Sequence, residues 1–510
     1  MPPAHQTAIL RGMAAGGVEA GGSFTGYPRM GRAFDECFDA DGRVRPGYRR
    51  VISLLSSLSP QRLAQVTEGL DLSLRTQGIT FTTYVGSNDA SGGGDVERTF
   101  PLDLVPRIIE AADWNIVSQG LSQRVRALNA FLNDIYSSRE VLHDGIVPTE
   151  LVVTGKHFTR QATGLPVPQG IYTHVSGTDL IRDDDGTWLV LEDNCRTPSG
   201  VSYMLENRAS MTRGFPELFA RHAVRPVDAY PQALLEVLRS IAPRGDADPT
   251  VVVLTPGAFN SAYFEHTFLA RQMGVEIVEG NDLFVDDAVV YMKTTRGARR
   301  VDVIYRRVDD DYLDPLAFRA DSVLGVTGLL LAARAGNVAI ANAVGTGIAD
   351  DKAVFAYVPK LIDYYLGEKM SLGQVPTYLC GEPDQLRHVL DHLDEMVVKT
   401  TSDSGGYGMT IGPMATATEL ADCRRRLLAK PRAYIAQDTI SLSMHPTLVE
   451  GGFRPRHCDL RPFVLMGAED TVTMIPGGLT RVALTEGSLV VNSSQGGGSK
   501  DTWVLEDGAT

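Results

Sequence analysis

The sequence lacks a membrane-spanning stretch, a paired-cysteine motif and any excess of basic residues. Its most apolar long segment, from Val323 to Val344, is broken by Arg334 and Asn337 and is too polar for a span. The first residues, MPPAHQTAILRGMAAGG, hold no apolar core of signal-peptide length. Five cysteines at 37, 195, 380, 423 and 458 are scattered without a C-x-x-C, which reads as free thiols in a reducing compartment. These absences predict a cytoplasmic protein. Lys and Arg number 48 against 62 Asp and Glu, and the net charge of −14 argues against nucleic acid or an anionic membrane as the main partner. A local cationic pocket for phosphates remains compatible with it. The strand-turn VVVLTPG (251–257) lacks G-x-G-x-x-G, which removes the case for a dinucleotide-dependent oxidoreductase.

At 510 residues the chain exceeds one ordinary hydrophobic core, so two or three domains are expected. Residues 1–30, rich in Gly, Ala and small polar residues, read as a poorly ordered tail. Apolar spacing from Arg49 to Leu74 is helical, and the glycine run at 91–95 marks a boundary. Pro101 to Tyr136 reads as helix, with Leu121, Val125, Leu128 and Leu132 on one face. From about 247 to 345, apolar strands alternate with helices, one of which, SAYFEHTFLARQMG (261–274), is closed by Gly274. That alternation predicts a parallel α/β unit inserted between two other blocks. The expected segments are 1–95, 96–246, 247–345 and 346–510.

The segment from Gly177 to Asn194 reads as a hairpin. Asp185-Gly186 suits a two-residue turn, with Asp184 facing Thr187. That pairing sets Asp179 opposite Glu192 and Gly177 opposite Asn194, so Asp179, Glu192 and Asn194 share a face. Opposed carboxylates repel unless a cation lies between them. Three oxygen-bearing side chains on one patch suit Mg²⁺, a hard ion that keeps waters and substrate phosphates in its shell. Asp193 should point the other way. Asp183, Asp184 and Asp185 lie at the tip, where solvation alone explains them.

A second feature is MVVKTTSDSGGYGM (396–409). An apolar strand delivers Lys399, and Ser404, Gly405, Gly406 and Gly408 follow in a loop whose backbone N–H groups can approach an anion. The lysine precedes the glycines, so this is not a P-loop. Lys352 stands at the expected start of a helix after Asp350-Asp351, an arrangement that an ordinary acidic first turn would also produce. The strand at 434–437 ends in Gln437. Asp459 and Arg461 fall on one face of a strand, a candidate anion clamp. His457 and Cys458, as strand neighbours, point to opposite faces and do not make a metal site.

The strings LEDNCRTPSGVSYMLENR (191–208), GTGIADDKAV (345–354), VVKTTSDSGGYGM (397–409) and GGLTRVALTEGSLVVNSSQGGGSKDTWVL (477–505) resemble the circularly permuted ATP-grasp proteins, relatives of the synthetase half of glutathionylspermidine synthase. The acid hairpin precedes the lysines here, the reverse of the usual ATP-grasp order. The resemblance implies a multidomain α/β (α+β) chain: a circularly permuted ATP-grasp fold, a pre-ATP-grasp parallel α/β domain and a helical N-terminal region. It implies Mg²⁺ on Asp179, Glu192 and Asn194, with Lys352 and Lys399 on the ATP phosphates. Ser404, Gly405, Gly406 and Gly408 would lie in a closing loop, and Gln437 would meet the adenine amino group. Arg196 and Arg461 would neutralise the transferred phosphoryl group. The implied activity is an ADP-forming carboxylate–amine ligase, working through an acyl-phosphate on a small-molecule or peptide carboxylate and an amine. The alternative is a non-ligating Mg·ATP-binding partner of a larger complex. Assembly as a homo-oligomer is compatible with either.

Overall fold

The computed structural model describes residues 24, 27–28, 33–83, 96–220, 222–245, 248–402, 408–449, 452–491 and 497–508. The expected tail at 1–30 and the glycine run at 91–95 fall largely or wholly outside them. A nine-stranded sheet organises the molecule. Its main path runs Val472–Met474, Phe463–Met466, Val175–Arg182, Gly452–Arg461, Leu479–Val482, Gly498–Val504 and Leu102–Ile109, with Trp188–Asn194 paired to Val175–Arg182 and Met444–Val449 to Gly452–Arg461. Strands from before and after the inserted α/β region therefore share one sheet.

Leu102–Ile109 corrects the helix expected from Pro101. The segment is a strand parallel to Gly498–Val504, and the helix begins only at Ala111 and runs to Ile135. Pro106 is tolerated because this strand lies at the end of the sheet path. The apolar stripe of the helix divides between two cores. Trp114, Val117, Leu121 and Val125 pack with Leu180 and Val190 of the acid hairpin. Leu128 and Leu132 join the core that includes Val252, Leu254 and Ile304.

The expected parallel unit is present. Ala339–Ala341, Val303–Arg306, Val251–Leu254 and Glu276–Val278 pair in that order, all parallel. The helix Tyr263–Met273 ends on Gly274 at φ 68°, the left-handed cap a glycine accepts without strain. A three-stranded meander, Leu283–Asp286, Val289–Thr294 and Gly297–Arg300, is added to it and was not foreseen. The last sheet is antiparallel, in the order Thr377–Leu379, Tyr434–Asp438, Met396–Thr400, Thr410–Ile411. All five cysteines are free and buried. No helix among the described residues is long and apolar enough to cross a membrane.

One buried ion pair ties the start of the described chain to the sheet. Arg107 Nε and Nη2 donate to Glu36 at 2.8 and 2.5 Å, and Ser443 Oγ donates to Glu36 at 2.6 Å. Burial opposes ionisation of Glu36, but the Arg107 guanidinium wins and holds its carboxyl down at about 2 against an ordinary 4.5. Glu36→Ala strands the buried arginine and should cost about 3–5 kcal/mol in chemical denaturation at neutral pH. In the native protein the Glu36 contribution is complete above pH 4.5 and is lost as pH falls through about 2. The difference between variant and parent should therefore shrink on acidification, and a difference independent of pH would overturn this reading.

Candidate active site

The acid hairpin reaches the expected register by an unexpected route. Its turn spans three residues, because Asp183 N–H bonds to Thr187 O and Gly186 takes φ 89°. The two-residue turn with Asp184 opposite Thr187 is thus corrected. A glycine in the left-handed region closes a three-residue hairpin loop. The register is consequently one residue off at the tip, where Leu180 pairs with Val190. A bulge between Asp179 and Leu180 restores it, and Asp179 lies opposite Glu192 and Gly177 opposite Asn194. Since a one-residue slip turns every side chain to the other face, the bulge is what keeps the acids together. Asp193 points away and takes Arg124 Nε and Nη2 at 2.8 and 2.7 Å.

The cation required beside Asp179 comes from the protein. Arg461 Nε and Nη2 donate to its two oxygens at 2.5 and 2.8 Å, and Arg481 Nη2 adds a bond at 2.7 Å. Burial opposes the charge, yet Arg461 and Arg481 hold the carboxyl at about 2. Arg481 also bonds Asp459, its register partner across Gly452–Arg461 and Leu479–Val482. The expected Asp459–Arg461 face therefore exists, but its clamp closes on Asp179. Arg481 was missed. Its only signal was the pairing of two strands that sequence alone did not bring together.

Lys399 and Lys352 approach Glu192 from the other side. Lys352 is the first residue of the short helix Lys352–Phe355, and its Nζ lies 3.5 Å from Glu192. Lys399 Nζ donates to Gln437 Oε1 at 2.6 Å, and Gln437 Nε2 donates to Thr377 at 3.0 Å. Desolvation lowers the Lys399 amine to about 8, partly offset by Glu192. Lys399 and Gln437 line a cleft of about 440 Å³, a size that suits a nucleotide-sized ligand. One end is apolar, lined by Val375, Val397, Ile440 and Leu442. The other is charged, with Asp179, Glu192, Asn194, Arg461 and Arg481. Gly408 is described, at φ 71°, and Met409 beside it lines the cleft. Ser404, Gly405 and Gly406 lie outside the described residues.

Arg196 does not join Arg461. It belongs to a smaller chamber of about 130 Å³ that shares Glu192 and Asn194 with the main cleft and adds His157, Asp350 and Lys352. Asp350, expected as an ordinary first-turn acid, is half-buried instead. It accepts Cys195 N–H at 2.5 Å and lies 3.5 Å from Arg196. Burial pushes its carboxyl up to about 7, against the pull of Arg196. Asp351 is the residue that caps the helix, accepting Ala353 N–H at 2.8 Å.

The donor set fits a hard divalent ion. Asp179 has three of its roughly four lone-pair sites taken, which leaves one. Glu192 and Asn194 both line the cleft, and the buried side-chain nitrogen of Asn194 has no hydrogen-bond partner that would fix the amide's orientation. Among the described residues no group of three or more His, Cys, Asp or Glu is gathered for a metal. An amide completing two carboxylates, with phosphates beside them, is the pattern Mg²⁺ accepts.

Comparison with known proteins agrees with this architecture. A family profile for circularly permuted ATP-grasp type 2 matches residues 106–483. Uncharacterized protein sll0335 of Synechocystis sp. is 52% identical over 476 residues, covering 93% of this chain and 98% of that protein. Uncharacterized protein Rv2411c of Mycobacterium tuberculosis is 54% identical over 473 residues, covering 93% and 84%. A Frankia casuarinae protein named "Putative glutamate--cysteine ligase 2-2" is 47% identical over 473 residues, covering 92% of this chain but 53% of its own length. A glutathione synthetase like-effector, GSS30 of Globodera pallida, solved in its apoform, aligns with TM-score 0.56 at 13% identity over 88% of this chain and 98% of that one. That last likeness is one of fold.

The lowered Lys399 amine generates a pH test. The side chain is cationic below about 8 and neutral above it. Affinity for a nucleoside triphosphate should fall as pH rises through that value, by up to roughly tenfold per pH unit. Lys399→Arg, which stays charged, should flatten the profile. Calorimetric titration with ATP and Mg²⁺ checks this, and coincident profiles for the two proteins would refute a phosphate contact by Lys399.

Proposed function

The chain belongs to the circularly permuted ATP-grasp type 2 family, and from that premise we propose that it is an ATP-dependent ligase joining a carboxylate to an amine through an acyl-phosphate. The observation that carries the reading is the polarity of one cleft, apolar at one end and lined by Asp179, Glu192, Asn194, Arg461 and Arg481 at the other, with Lys399 on its wall. The ligase name of the Frankia relative supports it, within the limit that this chain spans about half of that protein. The proposed segments remain 1–95, 96–246, 247–345 and 346–510, the third being the pre-ATP-grasp unit.

In this reading adenine lies at the apolar end, with Gln437 near its amino group and Lys399 beside the phosphates. Glu192, Asn194 and the remaining lone pair of Asp179 would hold Mg²⁺, which supplies charge neutralisation on the transferring phosphoryl group. Arg461 and Arg481, fixed by Asp179, present cationic groups where negative charge develops, without reorganising. Lys352 and Arg196 stand on the far side of Glu192 and Asn194. There they would meet the phosphoryl group after transfer. A carboxylate oxygen attacks the γ-phosphorus, ADP leaves, and an amine then displaces phosphate from the acyl carbon.

A second reading is a nucleotide-binding partner of a larger complex that does not ligate. It draws on Asp179, whose carboxylate is already engaged by two arginines. Purified protein should be screened for ADP release against pooled amino acids, small peptides and polyamines, with mass spectrometry for a new amide. The ligase reading expects stimulated ADP release that Glu192→Gln lowers on the order of 100-fold. Tight Mg·ATP binding without ADP release in any pool would favour the second reading.

A further inference from the structure

Beyond the charged end of the main cleft lies a separate cavity of about 340 Å³. It is bounded by the Gln77–Gly78 turn, by the loop at 258–261 and by the helix Tyr263–Met273, with Arg271 at its far side. Ser261 lines both this cavity and the main cleft. The two spaces thus meet at one residue, on the side where Ser199 and Arg461 also line the cleft and away from its apolar end. The cavity walls are mostly hydroxyl, amide and aromatic groups, and Arg271 is the one charged residue among them. Its guanidinium carbon lies 5.8 Å from the Phe268 ring centroid, and it makes no ion pair among the described residues. It attracts Glu206, on the neighbouring helix Val201–Gly214, across the cavity's margin. Desolvation raises the Glu206 carboxyl, and one of its oxygens is buried without a partner.

We infer that this cavity is the acid-substrate site, and that it takes a peptide-length molecule carrying two carboxylates, one presented past Ser261 to the phosphoryl group and the other held by Arg271. This rests on the ligase reading for the identity of the reacting end. Length follows from helix geometry. Arg271 is eight positions along from Tyr263, about 12 Å at 1.5 Å per residue. The arginine leans back toward the helix N-terminus and shortens that span. What remains exceeds a single amino acid and matches about two or three extended residues at roughly 3.5 Å each. Sign follows from the lining. A polyamine would meet a guanidinium and no lining carboxylate, whereas a carboxylate can take a bidentate pair there. The Thr80 and Thr267 hydroxyls donate to Gly78 O and Phe264 O, and Asn260 Oδ1 accepts from Ala262 N–H; the hydroxyl lone pairs and the Asn260 amide N–H groups suit the peptide units between the two ends.

The test reads binding directly, so that it does not depend on turnover. Pools of acetylated di- and tripeptides with two carboxylates, and the same peptides with one carboxylate amidated, are added to protein holding Mg²⁺ and a non-hydrolysable ATP analogue. Phenylglyoxal modification of Arg271 is then followed by peptide mass. Two-carboxylate pools should slow modification at least threefold and bind the parent about tenfold more tightly than Arg271→Gln, while amidated pools do neither. Unchanged affinity of Arg271→Gln for the ATP analogue serves as the folding control. Equal protection by amidated pools, or protection by none, overturns the inference and leaves the ligase reading standing. Protection at Arg271 without ADP release in any pool does the reverse.

Discussion

The site depends on one buried constraint: Asp179 cannot be ionised inside the sheet without Arg461 and Arg481. Two carboxylates and two guanidiniums, Asp179, Asp459, Arg461 and Arg481, come from three strands and neutralise one another away from water. Such clusters add little net stability, because desolvation consumes most of the attraction. Their effect is geometric. Removing any member leaves an uncompensated buried charge, so the three strands are compelled into one register. That register sets Glu192 and Asn194 beside Lys399, which arrives from the antiparallel sheet, and Lys352, which arrives from its short helix.

The same constraint accounts for the hairpin bulge. The turn at Gly186 closes one residue away from the pairing that the acids require, and an extra residue near Leu191 absorbs the difference. With no bulge, either Glu192 would face the core or the loop would have to change length. Beneath the hairpin, Asp193 is held by Arg124 from the long helix, which fixes the opposite face. The strand that looked overloaded with acids is thus an alternation of two neutralised sets, one facing the cleft and one facing the helix.

Much of this was legible in the residues. The Asp179–Glu192 and Gly177–Asn194 pairings were expected from a two-residue turn that does not form, and they are met only because the bulge offsets the longer loop; the parallel unit follows from strands separated by helical spacing. What was not legible depends on partners far away in sequence. Leu102–Ile109 looks helical until its pairing with Gly498–Val504 is known. Arg481 carries no local mark of its role. Asp350 reads as an ordinary first-turn acid, and only the packing of Cys195 and Arg196 against it draws it partly out of water. Arg196 was grouped with Arg461 through the family resemblance, and no local rule says that the two line different chambers.

The distance along the chain between Asp179 and its arginine partners has a consequence for biosynthesis. Arg461 follows Asp179 by 282 positions and Arg481 by 302. At ~5–20 residues per second, a ribosome needs roughly 15–60 s to add them. For most of that interval the acid hairpin is outside the tunnel without the charges that allow it to be buried. The intervening α/β unit waits as well, because Val251, Val253 and Val303 share a core with Phe463, Leu465 and Leu479 from the last part of the chain. The arrangement around Asp179 is therefore completed only with the final strands, and a message truncated before them would leave both the acid hairpin and part of the insert's core without partners.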